Sequence, residues 1–253
     1  MGYSIHMEST KSIEKQPPTG LERKLESLIR KALYTHKIGQ SSPLAVALSG
    51  GKDSLTMLYF LKKIAGRGII DLKIYALYVS GEFSCGPAIA KSHIQLFCDE
   101  LDIPLYILES KKTLENLECY SCSRERRSLL FNKAKELGCK EIAFGHHKDD
   151  TVETLLLNLL HKGEFASQLP KVVMQNFGIT IIRPLYYALE KEITEFAKQK
   201  GFIRLTCQCP VGAISKRRNV KELLKELTKI FPNTKTNLFH ALKEVGSNKS
   251  LKN

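Results

Sequence analysis

The sequence predicts an α/β protein built on a doubly wound, mainly parallel sheet, and three observations carry that expectation. Short apolar runs of the kind that form strands buried on both faces, Leu44 to Leu48 (LAVAL) above all, recur along the chain. Segments with helical apolar spacing alternate with them, the pattern of parallel strands joined by crossover helices. A glycine turn, Ser49-Gly50-Gly51-Lys52-Asp53-Ser54, stands between the first run and the helix after it, at the carboxyl end of a strand where such folds place their ligands.

Residues 1–19 are polar, contain Pro17-Pro18 and read as a flexible N-terminal arm. Leu21 to Tyr34 carries Leu21, Leu25, Leu28, Ile29 and Leu33 at helical spacing, and Asp53 to Lys63 is the helix after the glycine turn. Leu72 to Val79 and Leu105 to Leu108 repeat the strand signal on either side of a helix near Ala88 to Leu101. A helix over Arg124 to Leu137, a strand over Glu141 to Phe144 and a helix over Thr151 to Leu160 follow. Thr180 to Arg183 is a further strand and Ala188 to Lys200 a further helix. Past Gly201 the pattern shortens, bears cysteines, turns basic and helical from Arg218 to Leu227 and ends polar. The expected division is an arm (1–19), an α/β domain (20–200), a cysteine-bearing, basic helical extension (201–245) and a polar tail (246–253).

With 253 residues, 43% of them hydrophobic, the chain can bury a proper core. No apolar run approaches the ~18–20 residues of a membrane span, and the first thirty residues lack the apolar core of a signal peptide. The expected address is the cytoplasm, with no membrane partner. Thirty-nine Lys and Arg against 26 Asp and Glu leave a net charge of +13, which favours a polyanionic partner. Seven cysteines, an odd number without a secretory signal, argue against a disulfide framework and leave metal binding, catalysis or burial. There is no tryptophan, so stacking on a nucleobase would fall to Phe, Tyr, His or Arg.

Two glycines between a strand and a helix leave unpaired N–H groups at the positive end of the helix dipole, a natural seat for phosphate. Lys52 adds a full charge and Ser54 a hydroxyl; the adjacent glycines rule out a Walker A loop, which needs four residues between them. A second acidic run, Gly145-His146-His147-Lys148-Asp149-Asp150-Thr151-Val152-Glu153-Thr154, also follows a strand and opens a helix, with Asp150 and Glu153 able to share one face. Acidic residues at a helix start are also ordinary capping chemistry. Beside a triphosphate, carboxylates from the two turns would suit Mg²⁺, and Asp53 and Asp150 are the candidates. His146 and His147 show no metal-ligand spacing; they could contact substrate or cap the strand.

Cys119 and Cys122 open a strongly basic helix (CYSCSRERR), where the dipole and nearby arginines favour thiolates. Cys207 and Cys209 precede a second basic stretch, Lys216-Arg217-Arg218. Four thiolates could close a structural zinc site, or three could hold an iron–sulfur cluster with one iron open. Cys98 and Cys139 read as buried small hydrophobes, and Cys85 matches no motif. Arg124, Arg126, Arg127, Lys216, Arg217 and Arg218 would bring RNA phosphates near the thiols, or else are solvated helix faces.

The SGGKDS turn resembles the signature of the PP-loop ATP pyrophosphatases, adenine nucleotide alpha hydrolase-like enzymes. The resemblance implies that Ser49, Gly50, Gly51, Lys52, Asp53 and Ser54, with Gly145, bind ATP for cleavage between its α- and β-phosphates. Together with CxxCSRxRR, GHHxDDxxETxxLNLxHxG, IRPL at Ile182 to Leu185, the late cysteines and RRxVK at Arg217 to Lys221, the chain is similar to the tRNA 2-thiocytidine synthase family over roughly residues 20 to 245. That similarity implies tRNA as substrate, adenylation of the C2 carbonyl of an anticodon-loop cytidine, and replacement of its oxygen by sulfur from a [4Fe-4S] cluster. The implied catalytic residues are Lys52, Asp53, Asp150, Cys119 and Cys122. The implied cluster ligands are Cys119, Cys122 and Cys207, with Cys209 as alternate because the late pair reads CxC where the family has CxxC. A sulfur-donor protein such as a cysteine desulfurase is the implied partner, and a homodimer is compatible. Rival readings on the same fold are a tRNA thiouridine synthase, a lysidine-type ligase or a small-molecule amide synthetase. A structural-zinc (Zn²⁺) nucleotide- or RNA-binding protein without this chemistry is the rival from another class.

Overall fold

The computed structural model describes residues 17–67, 72–81, 88–110, 119–202 and 216–247. Most of the predicted arm, Cys85, the Cys207/Cys209 pair and the end of the tail lie outside these residues, as does the side chain of Cys119. Helix α1 (Gly20–Thr35) leads into β1 (Leu44–Leu48), α2 (Lys52–Ile64), β2 (Ile74–Ser80), α3 (Ala88–Glu100) and β3 (Leu105–Glu109). Then come α4 (Cys119–Glu136), β4 (Glu141–Ala143), α5 (Lys148–Lys162), β5 (Lys171–Met174), β6 (Ile179–Ile182) and α6 (Glu190–Gln199). Two further helices, α7 (Lys216–Ile230) and α8 (Thr234–Val245), complete the described chain.

The six strands form one sheet in the order β3-β2-β1-β4-β6-β5, parallel throughout except for the antiparallel edge pair β5/β6. The chain runs outward from β1 to β3 on one side and from β4 on the other, so the topological switch point lies between β1 and β4. In doubly wound sheets the ligand crevice opens at the carboxyl ends of the strands at that point. The glycine turn follows β1 and the Gly145–Thr154 run follows β4, so topology alone brings the two sequence motifs together.

The period of two in β1 distributes its side chains between two cores. Leu44, Val46 and Leu48 pack with Ile29 of α1, Phe60 of α2, Phe97 of α3 and Phe196 of α6. Ala45 and Ala47 face Leu130, Phe131 and Ala134 of α4 on the opposite side. A third cluster, Val152 of α5, Tyr186, Val220 and Leu224 of α7, and Phe239 of α8, joins the C-terminal helices to α5. The predicted strands and helices are all present, β1 with the expected bounds and the others with shifted ends. Thr19 Oγ1 accepts the Glu22 amide at 3.1 Å and starts α1. Helix α4 begins at Cys119, five residues before the expected start at Arg124. The edge strand β5 was not expected: its KVVM alternates exposed and half-buried positions and shows no apolar run. No described helix is long and apolar enough to cross a membrane.

Candidate active site

The turn after β1 is locked by its own polar atoms. Gly50 has φ +77°, a region costly for any residue with a Cβ. Ser54 Oγ donates to the Gly51 carbonyl at 2.9 Å and accepts the Ser49 amide at 3.2 Å, so the Ser54 hydroxyl closes the turn. Gly51 precedes α2 with extended backbone and no side-chain cap, which leaves the helix start open to an anion. Gly145, beyond β4, lies directly on this turn. A Cβ there would stand 3.1 Å from the Ser54 nitrogen and 3.2 Å from both the Asp53 carbonyl carbon and the Ser54 Cα. The absence of a side chain at Gly145 is therefore what lets the two turns touch.

Helix α5 is capped by His147, whose Nδ1 accepts the Asp150 amide at 3.4 Å while Asp150 Oδ2 accepts the His147 amide at 3.0 Å. The helix thus begins three residues ahead of the expected Thr151, and His147 caps this helix rather than the strand. Its ring is buried and stands between the two predicted metal candidates, with Nε2 3.8 Å from Asp53 Oδ1 and 3.4 Å from Asp150 Oδ2.

The charged groups close into a ring. Lys52 Nζ lies 2.7 Å from Asp53 and 3.7 Å from Glu190; Glu190 accepts from Lys221 at 2.8 and 3.0 Å; Lys221 lies 3.9 Å from Glu153. Arg217 lies 3.8 Å from Glu153 and 3.8 Å from Asp150, which returns to His147 and Asp53. Lys52, Asp53 and Asp150, predicted from separate motifs, are thereby brought together. Glu190 had no assigned role in the sequence, His147 was expected to contact substrate or cap the strand, and Lys221 appeared only as the end of RRxVK. The available signal was the placement of Arg217 and Lys221 four apart on a basic helix, one face of which must meet acids.

Burial alone would push the Asp150 carboxyl up, but His147, Arg217 and the His147 amide reverse this and hold it below the usual range. Glu190 is likewise held down against burial, by Lys221 and Lys52. Glu153 stays raised, because burial outweighs Lys221 and Arg217. His146 is pushed down to about 3 by burial and by the guanidinium groups of Arg183, Arg217 and Arg127, so it is neutral near pH 7. Its Nδ1 and the Nε of Arg183 are buried with no hydrogen-bond partner among the described residues.

Cys119 and Cys122 lie three residues apart in the first turn of α4, and Cys122 is half-buried. The helix is anchored over the carboxyl end of β2 by Arg126, which donates to the Val79 carbonyl at 3.1 Å. Arg217 donates to Thr154 Oγ1 at 3.0 Å. Of the six basic residues expected to meet RNA, Arg126 and Arg217 are half-buried and bonded to Val79 and Thr154, and Arg124, Arg127, Lys216 and Arg218 are exposed, Arg218 lying 3.6 Å from Glu222. Cys98 and Cys139 are buried as expected, and burial raises their thiols to about 12 and about 11, which makes them poor nucleophiles. No group of three or more His, Cys, Asp or Glu able to hold a metal occurs among the described residues.

Residues 18–204 match the family model of the PP-loop domain. A tRNA-cytidine(32) 2-sulfurtransferase of Pelobacter propionicus is 34% identical over 236 residues, which cover 89% of this chain and 87% of that protein. The protein of the same name from Geobacter sulfurreducens is 37% identical over 209 residues, covering 80% of this chain and 81% of its own. Among solved structures, the U34-tRNA thiolase of Methanococcus maripaludis with its [4Fe-4S] cluster superposes with a TM-score of 0.71 at 24% identity, covering 89% of this chain and 78% of that one. At that identity the superposition speaks to the fold alone. The chain belongs to the PP-loop domain family, and within it groups with the tRNA-cytidine(32) 2-sulfurtransferases.

Proposed function

We propose that the protein thiolates tRNA, using ATP to adenylate the C2 carbonyl of an anticodon-loop cytidine and exchanging that oxygen for sulfur. The observation that carries this reading is the convergence of Lys52, Asp53 and Asp150 at the β1/β4 switch point, in a chain whose curated relatives are tRNA sulfurtransferases. ATP lies with its β- and γ-phosphates on Ser49 to Ser54, where the open start of α2 and the Lys52 ammonium stabilise the charge that grows as pyrophosphate leaves. The cytidine O2 attacks the α-phosphorus; the P–O bond to pyrophosphate breaks and the base becomes an O-adenylate. Sulfide then adds at C2 and AMP leaves with the former carbonyl oxygen.

Asp53 and Asp150, one from each turn at the switch point, would hold a Mg²⁺ ion that takes its remaining ligands from phosphate and water. Cys119 and Cys122, three residues apart at the start of α4, would supply two ligands of a cluster site, with Cys207 as third ligand and Cys209 as alternate. A [4Fe-4S] cluster held there would supply the sulfur, replenished from a donor protein such as a cysteine desulfurase. Exposed Arg124, Arg127, Lys216 and Arg218 would hold RNA phosphates, and the base would be splayed from its loop into the crevice.

Anaerobic purification with iron and acid-labile sulfide quantitation tests the sulfur half of this reading. The expected result is iron and sulfide in a ratio near one, with broad visible absorbance that Cys119→Ser and Cys122→Ser abolish. Stoichiometric zinc without that absorbance would mean a structural metal and would remove the cluster.

A further inference from the structure

The closed ring contains a pair that the chemistry above leaves without a task. Glu190 is the first residue of α6, and Lys221 lies one turn into α7. Lys221 Nζ reaches both oxygens of the Glu190 carboxylate, at 2.8 and 3.0 Å. The same carboxylate stands 3.7 Å from Lys52, the cation of the phosphate turn. Lys52 is 11% exposed at its side chain and Glu190 26%, so solvent screens their attraction only in part. Any phosphate approaching the turn competes with Glu190, as well as with Asp53, for the Lys52 ammonium.

We propose that Lys221 is a positioning residue for the nucleotide site: by taking up the charge of Glu190 it leaves Lys52 available to phosphate. This rests on the assignment of Lys52 as an ATP ligand. With Lys221 in place the Glu190/Lys221 pair is neutral and Lys52 answers to one carboxylate, Asp53. With Lys221 removed, Glu190 is left facing Lys52 at 3.7 Å with no lysine of its own, and the phosphate turn carries one less positive charge beside it. Glu153, 3.9 Å from Lys221, also loses a counterion, which adds to the same effect. Helix α7 begins directly after residues 203–215, which carry Cys207 and Cys209. The pair therefore also ties the nucleotide lysine to the helix that follows the late cysteines.

The test is Mg-ATP binding to the full chain by equilibrium dialysis, with tRNA binding measured in parallel. Lys221→Met should weaken ATP binding about five- to twenty-fold, the range of a coupled, half-buried charge pair. Lys221→Arg should stay within about threefold of wild type. The decisive variant is Glu190→Gln placed on Lys221→Met, which should restore ATP affinity to within about threefold, because the competitor for Lys52 has been neutralised. A purely structural role for Lys221 would lower the urea-melt midpoint and weaken tRNA binding along with ATP binding, whereas the proposal expects the loss in ATP binding alone. Normal ATP binding by Lys221→Met, a loss that Glu190→Gln fails to repair, or a loss confined to tRNA would overturn the proposal. Lys52→Met separates the two levels. If it leaves ATP affinity intact, the assignment of Lys52 fails and takes this inference with it; if it weakens ATP while Lys221→Met does not, this inference alone fails.

Discussion

Gly145 shows how a single missing Cβ positions chemistry. The three atoms that a methyl group would meet all belong to backbone, so none can swing aside as a side chain could. Gly145→Ala should displace the phosphate turn, cost about 1–3 kcal/mol of stability and weaken ATP binding at least about tenfold, read from a denaturant melt and a binding isotherm on the same preparation. Asp149, next to the proposed metal ligand, has a different task. It is buried, accepts the Glu190 amide at 2.8 Å and pairs with Lys235 at 2.7 Å. Burial would raise its carboxyl, but the Glu190 amide and Lys235 outweigh that and hold it below its ordinary value. Its contribution to stability is thus complete above the unfolded value near 4 and disappears as pH falls through the lower folded value. Asp149→Asn should lower stability at pH 7 by about 1–2 kcal/mol, discounted for the partly exposed Lys235. The same variant should show a shallower acid decline than wild type in melts taken between about pH 5 and pH 3.

At the scale of elements, α7 and α8 close the site from outside the α/β layers. Leu224, 1% exposed, and Val220 pack with Val152, Tyr186 and Phe239, and this contact sets Arg217 and Lys221 against the acids of α5 and α6. Leu224→Ala should cost about 2–4 kcal/mol in a urea melt, and should weaken ATP binding because both cations lose their register. The buried parallel strands were legible in the sequence because burial on both faces writes continuous apolar runs. Edge strand β5 was not, since half its side chains meet solvent and Lys171-Val-Val-Met carries only faint alternation. The two turns of the site were legible because Gly50, Lys52 and Asp150 have chemistry that few structural positions require. Glu190 was not: an acid in the first turn of a helix is common capping chemistry, and only the fold shows Lys52 beside it. The basic residues divide in a way composition cannot show, with Arg126 and Arg217 turned inward to Val79 and Thr154.

For the whole molecule, one sheet edge gathers what the reaction needs. The switch point between β1 and β4 supplies the phosphate turn and the acidic helix start, α4 carries Cys119 and Cys122 in its first turn, and α7 returns the basic C-terminal segment to the same crevice. The excess of 13 positive charges over the chain matches a substrate far larger than the nucleotide. The measurement that bears most directly on this account is a single-turnover reaction of the cluster-loaded protein with α-labelled ATP, sulfide and unmodified tRNA. AMP and 2-thiocytidine should form in equal amounts, and Lys52→Met should abolish both. Thiolated tRNA without AMP, or AMP formation with the cytidines left unmodified, would contradict it.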